Sequence, residues 1–337
     1  MGAAQPGLWA IVLAAGCAGL SALLIRILRP IFLRHLLAHP NARSSHTVPT
    51  PQGAGLAVMA AVVAGCALGI VLWAQGAEPR LCGVLAAAAG LTLLGALDDA
   101  YTLSVPSRLA GQALAAIVLV GTLPTELRLF PDLMPAGLED ALLVLGIVWF
   151  VNAINFLDGL DWMTVAQVVP VTLAVALLHV LGGVPATVAL LALVLLGAVL
   201  GFAFFNKHPA SIFLGDAGSL PIGLCLAYLL IFVAKANLAA AILLSLYTLS
   251  DSTLTLLRRL FAGERVFSAH RSHFYQRAVA AGLSVPQVTA RIFLLGFLLA
   301  ALAIAAFAAN SLFADLLLVG LGALATGVTL VALAKGR

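Results

Sequence analysis

Ala141-Leu-Leu-Val-Leu-Gly-Ile-Val-Trp-Phe-Val-Asn-Ala-Ile-Asn-Phe-Leu-Asp-Gly-Leu-Asp161 runs from an apolar stretch into four oxygen-bearing side chains at 152, 155, 158 and 161. The apolar part predicts a membrane-spanning helix. On such a helix steps of three drift by about 60° each, so Asn152, Asn155 and Asp158 are expected on one broad face, with Gly159 as the break. Polar groups at membrane depth cost free energy, and an end cap accounts for one Asn or Asp rather than four in register. The stretch therefore predicts a functional site at the end of a transmembrane helix.

The rest of the chain agrees with that class. Of its 337 residues 63% are hydrophobic and 9% charged, with mean hydropathy +1.14. A chain this apolar, built of runs of about 20 residues that each cross the hydrocarbon, reads as an all-α polytopic membrane protein, with residues 1–337 forming one integral-membrane domain. Cys17, Cys66, Cys82 and Cys225 stand singly in apolar sequence and read as packing residues. The first Lys or Arg is Arg26, so the first apolar run is expected to remain a span and not a cleaved signal.

Eleven spans are predicted, at about 8–28, 53–74, 81–97, 108–123, 140–157, 163–182, 186–205, 217–234, 238–257, 287–309 and 312–334. Alternating the loops from an outside N-terminus puts 14 of the 17 Lys and Arg at one side, leaving Arg80, Arg128 and Lys235 at the other. The positive-inside rule makes the rich side, and the C-terminus, cytoplasmic. Asp98, Asp99, Asp158, Asp161 and Asp216 then gather at cytoplasmic helix ends. A secondary transporter of similar span number would carry its acids near mid-membrane in two matching halves, whereas these collect at one face and no internal repeat is visible.

Four further segments on that face carry chemistry. Ser44 to Gly55 holds His46 with two prolines and two glycines, a stiff loop whose backbone can approach a ligand. Asp98 and Asp99 leave a helix in different directions, and Arg108 presents a fork suited to phosphate. In Gly215-Asp-Ala-Gly-Ser219, at a helix start, Asp216 suits a hard divalent ion while free backbone N–H groups are expected to face negative charge. His270-Arg-Ser-His-Phe-Tyr-Gln-Arg277 falls in the longest cytoplasmic loop, about 258–286. Its His pair has no nearby Cys and too many arginines for zinc, so a cationic clamp for a diphosphate is the better reading. Asp251 is an intramembrane acid to which the sequence assigns no role.

In sequence order these motifs resemble the polyprenyl-phosphate N-acetylhexosamine-1-phosphate transferases, glycosyltransferase family 4. The matches are His-x-x-Pro-Thr-Pro at 46–51, the Asp pair at 98–99, Asn-x-x-Asn-x-x-Asp-Gly-x-Asp at 152–161, Phe-x-Gly-Asp-x-Gly-Ser at 213–219 and His-x-x-His at 270–273. The last resembles bacterial members that start O-antigen or other surface polysaccharide on undecaprenyl phosphate. Gln52, Ala54 and Trp162 depart from the Arg, Gly and Gly usual in the family.

The resemblance implies transfer of an N-acetylhexosamine 1-phosphate from a UDP-sugar to undecaprenyl phosphate at the bacterial inner membrane, with UMP released. It implies Mg²⁺, or Mn²⁺ in its place, on Asp216 and Asn155. Asp98, Asp99, Asp158 and Asp161 are the implied catalytic carboxylates, and His46, Arg108, Asn152, Gly215, Ser219, His270, Arg271 and His273 the substrate contacts. The implied partners are the UDP-N-acetylhexosamine, the lipid phosphate and membrane lipid, with no nucleic acid and a homodimer left open.

Overall fold

The computed structural model describes residues 5–38, 48–73, 79–265 and 270–336. These form α1 (Gln5–His35), a two-residue strand pair β1 (Leu37–Ala38) and β2 (Thr50–Pro51), then α2 (Ala54–Trp73), α3 (Pro79–Tyr101), α4 (Val105–Thr122), α5 (Ala136–Phe156) and α6 (Met163–Val180). After these come α7 (Ala186–Asn206), α8 (Asp216–Ala236), α9 (Leu238–Phe261), α10 (Phe274–Ala280), α11 (Val285–Ala309) and α12 (Leu312–Ala334).

Eleven of these helices are long and apolar enough to cross a membrane, and they correspond one to one with the predicted spans. Three run clearly further at their C-terminal ends than expected, α1 to His35, α3 to Tyr101 and α9 to Phe261, and the short α10 lies inside the loop expected at about 258–286.

α8 is the most enclosed helix, packed against α2, α3, α5 and α9. Helices that pack within lipid gain from close backbone approach at small residues, and two glycines bring that about at the first turn of α8. A Cβ on Gly95 of α3 would lie 2.2 Å from the Asp216 carbonyl oxygen, and one on Gly55 of α2 would lie 2.1 Å from the Gly218 nitrogen. The segment after β2 is laced to the chain leading into α8: Phe213 N donates to Pro51 O at 2.8 Å, Ala54 N to Phe213 O at 3.1 Å and Gly55 N to Leu214 O at 2.9 Å. The loop rich in Pro and Gly thus braces the Gly-Asp-x-Gly-Ser turn from behind.

Candidate active site

The site is built around the N-terminus of α8. A helix start leaves backbone N–H groups without intrahelical partners, and those of Asp216 and Ala217 donate to Asp99 Oδ1 and Oδ2 at 3.0 and 3.2 Å. The expectation that these donors are free for a ligand is therefore corrected, because a carboxylate from α3 already caps them. Gly215 is the residue that permits this cap. It adopts φ +76, and a Cβ there would sit 2.5 Å from Asp99 Oδ2, so no side chain fits.

Asp98, one residue earlier, turns the other way. Its Oδ1 accepts from Leu103 N at 2.6 Å and its Oδ2 from Arg108 Nη1 at 2.9 Å. The same guanidinium nitrogen lies 3.9 Å from Asp216 Oδ2, so Arg108 stands between two carboxylates. Asn155, at the end of α5, donates from Nδ2 to both Asp216 Oδ1 and Ser219 Oγ at 2.8 Å. One turn back, Asn152 donates to Gln112 Oε1 at 2.6 Å and Gln112 Nε2 returns to Asn152 Oδ1 at 3.4 Å. Gln112 is 3% exposed and lies four residues after Arg108 on α4. That spacing puts two polar groups on one face of an apolar helix, a signal present in the sequence and passed over.

A cavity of about 550 Å³ opens beside this cluster. Arg108, Gln112, Asn152, Asn155, Asp216, His270, His273 and Gln276 give it a polar end, and Leu109, Leu145, Val148, Trp149, Leu220 and Leu256 an apolar wall. Six of the sequence-derived candidates meet here. Asp98 and Asp99 stand behind the cavity wall with their oxygens engaged as described, and Ser219, buried, donates its hydroxyl to Gly215 O at 3.2 Å.

Asp158 is not on the helical face predicted for it. α5 ends at Phe156, Leu157 leaves helical geometry at φ −92 and ψ 0, and Asp158 Oδ1 instead accepts from the Thr164 hydroxyl. Burial pushes its carboxyl up to about 7, opposed by the Thr164 bond and reinforced by the charges of Asp99 and Asp161. Asp161 Oδ2 pairs with His208 Nδ1 at 2.7 Å and accepts from Ala210 N at 3.0 Å. Trp162 takes a left-handed conformation at φ +63, which accounts for the glycine usual there. Its indole donates to Ala203 O at 2.8 Å and does not line the cavity.

The second His of the His-x-x-His segment is the residue capping α10, and both histidines reach the cavity with ring centroids 5.0 Å apart. Burial, then the neighbouring His273 and Arg259, push His270 down to about 4, which favours the uncharged, hydrogen-bonding form of the ring. Arg271 is exposed and outside the cavity wall. His46 lies outside the described residues.

The donor set suits a hard divalent ion. Asp98, Asp99 and Asp216 converge with one guanidinium among them, which leaves an excess of negative charge. Asn155 keeps its Oδ1 clear of the hydrogen bonds its amide nitrogen makes. Among the described residues no three His, Cys, Asp or Glu side chains form a complete cage. Mg²⁺ ordinarily takes one or two carboxylates and fills its shell with water and substrate phosphate, so a site at Asp216 needs few further protein donors; Asn155 turns its amide nitrogen to Asp216 and would add its oxygen to such a shell only with the amide rotated.

Comparison with known proteins agrees with the motifs. Residues 81–234 match the family described as Glycosyl transferase family 4. Over 294 residues the chain is 32% identical to the probable undecaprenyl-phosphate N-acetylglucosaminyl 1-phosphate transferase of Bacillus subtilis (strain 168), covering 82% of this chain and 80% of that one. It is 30% identical over 295 residues to the decaprenyl-phosphate N-acetylglucosaminephosphotransferase of Mycobacterium leprae (strain TN), with 77% and 73% covered. A phospho-N-acetylmuramoyl-pentapeptide-transferase of Rhodopseudomonas palustris (strain BisB18) is 30% identical over 292 residues, with 74% and 78% covered.

Proposed function

The chain belongs to glycosyl transferase family 4, and from that premise we propose that it transfers an N-acetylhexosamine 1-phosphate from a UDP-sugar to undecaprenyl phosphate. The products are undecaprenyl-diphospho-sugar and UMP, and the step is the first membrane reaction of a surface polysaccharide. The observation that carries this reading is the cavity itself, which joins a polar end holding Arg108 and Asp216 to an apolar wall. Both proposed substrates carry phosphate and one of them is also a lipid, so charged and apolar surface have to meet in one place. The charge bias of the loops supports a polar end at the cytoplasmic face, and the relatives support a bacterial inner membrane.

In this reading an oxygen of the lipid phosphate attacks the sugar-proximal phosphorus. A new P–O bond forms, the bond from that phosphorus to the bridging oxygen breaks, and UMP leaves with the electron pair. A phosphate monoester has its second pKa near 6, so the nucleophile arrives already charged and needs little help from a base. Asp98 and Asp99 are accordingly assigned to positioning, Asp98 holding Arg108 and Asp99 holding the start of α8. Arg108 takes the lipid phosphate by its fork, while Asn152, Asn155, His270 and His273 line the donor's diphosphate. When bound at Asp216 and Asn155, Mg²⁺ supplies charge neutralisation for the phosphates. Orientation of two held substrates provides much of the remaining acceleration.

Purified protein, given undecaprenyl phosphate, a panel of UDP-N-acetylhexosamines and either MgCl₂ or EDTA, is expected to release UMP with at least one donor. The release should require the metal and vanish in Asp216→Ala. Folded protein that binds the lipid phosphate and releases no UMP with any donor would contradict the proposal.

A further inference from the structure

We infer that Asp251 is the positioning residue for His273, and through it for the donor's diphosphate; the second half of this rests on the transfer reading above. Asp251 lies inside α9 and is completely buried. Its Oδ1 accepts from His273 Nδ1 at 3.1 Å, Phe274 N at 3.1 Å and the Thr255 hydroxyl at 3.3 Å, and its Oδ2 from the Tyr247 hydroxyl at 3.3 Å. Tyr247, Asp251 and Thr255 are spaced by four and form one stripe on α9. A buried carboxylate of this kind is retained at a cost unless its donors are complete, and here every one of them is a neutral group or the imidazole.

His273 is 4% exposed and caps the N-terminus of α10, with Gln276 Oε1 accepting from its backbone nitrogen at 3.3 Å. His273 and Gln276 both line the cavity. Since Nδ1 is held by Asp251, Nε2 is the ring nitrogen left for a ligand, and the carboxylate fixes both the ring's rotation and which nitrogen serves. The ring thereby links the buried carboxylate at Nδ1 to the cavity at Nε2, as carboxylates orient histidines elsewhere. Phe274 N, held by the same oxygen, ties the start of α10 to this arrangement.

The experiment uses the full-length protein in detergent. Asp251→Asn keeps the shape and removes the charge, Asp251→Glu keeps the charge, and both are combined with His273→Ala. Asp251→Asn is expected to raise the KM for the UDP-sugar by about 10- to 100-fold and leave the KM for undecaprenyl phosphate unchanged, with partial recovery in Asp251→Glu. In the His273→Ala background it should add less than about twofold, because residues acting through one another are not additive. Full additivity, or equal damage to both KM values, would mean a general structural role and overturn the inference. ¹⁵N-histidine NMR tests the pair apart from activity. A hydrogen-bonded Nδ1–H at His273 that is lost in Asp251→Leu supports the pairing even if the wild type releases no UMP, a result that would refute the transfer reading instead. Absence of that signal in the wild type refutes the pairing.

Discussion

Asp99→Asn separates a carboxylate that shapes the site from one that meets substrate. In the structure Asp99 gives one oxygen to each of two backbone N–H groups at the start of α8, at 3.0 and 3.2 Å. Asparagine keeps a single accepting oxygen and turns an NH₂ toward the second donor, which leaves that N–H unsatisfied at a cost of about 1–3 kcal/mol. Loss of the favourable charge at a helix N-terminus is offset by relief from burying that charge beside Asp98. The variant should therefore be less stable by about 1–3 kcal/mol. For a chain of this size that is a fall in melting temperature on the order of 5 °C, read by fluorescence-detected unfolding in detergent. Activity should fall together with stability as α8 shifts, and added ligand should recover part of both. Gly215→Ala, whose Cβ would displace the same carboxylate, should behave alike. Asp99→Asn protein as stable as the wild type yet about 10³-fold slower would refute the reasoning and make Asp99 a group that touches substrate.

Asp158, raised to about 7 by burial, binds its proton more tightly in the folded chain than in the unfolded one. Its contribution should therefore be favourable at low pH and should fall as pH rises from near 4 to near 7. Unfolding measured across that range should show a shallower decline in Asp158→Asn than in the wild type. Arg108→Lys keeps a positive charge beside Asp98 and loses the fork. Because Arg108 is about one-third exposed, stability should change by less than about 1 kcal/mol, while initial rates fall on the order of 10²-fold through the acceptor. A rate within twofold of the wild type would remove Arg108 from the phosphate site.

The eleven spans were legible because lipid leaves no alternative to long apolar helices. Their ends were less so. α1 carries Arg26, Arg29 and Arg34 through to His35, and charge in a sequence marks the edge of the hydrocarbon without marking the end of the helix. The residue types of the site were equally visible in the motifs, but their partners were not. Asn155 meets Asp216 across 61 residues, and the direction of each Asp in the 98–99 pair depends on the rotation of α3 against α8. Asp158 left its expected face because α5 stops three residues after Ala153, a boundary set by Leu157's backbone and not by any polar cap. Asp251 stood out as an acid in an apolar run, yet its partner His273 sits in a loop whose course follows no periodicity.

The most direct test of the central claim follows the phosphorus. UDP-N-acetylglucosamine labelled with ³²P at the sugar-proximal phosphate is incubated with the protein, undecaprenyl phosphate and MgCl₂, and the lipid and aqueous phases are separated. The label is expected in the lipid together with the sugar, with unlabelled UMP in water. Sugar in the lipid with the label left behind as UDP would mean that the glycosidic bond breaks instead, and would contradict transfer of a sugar phosphate.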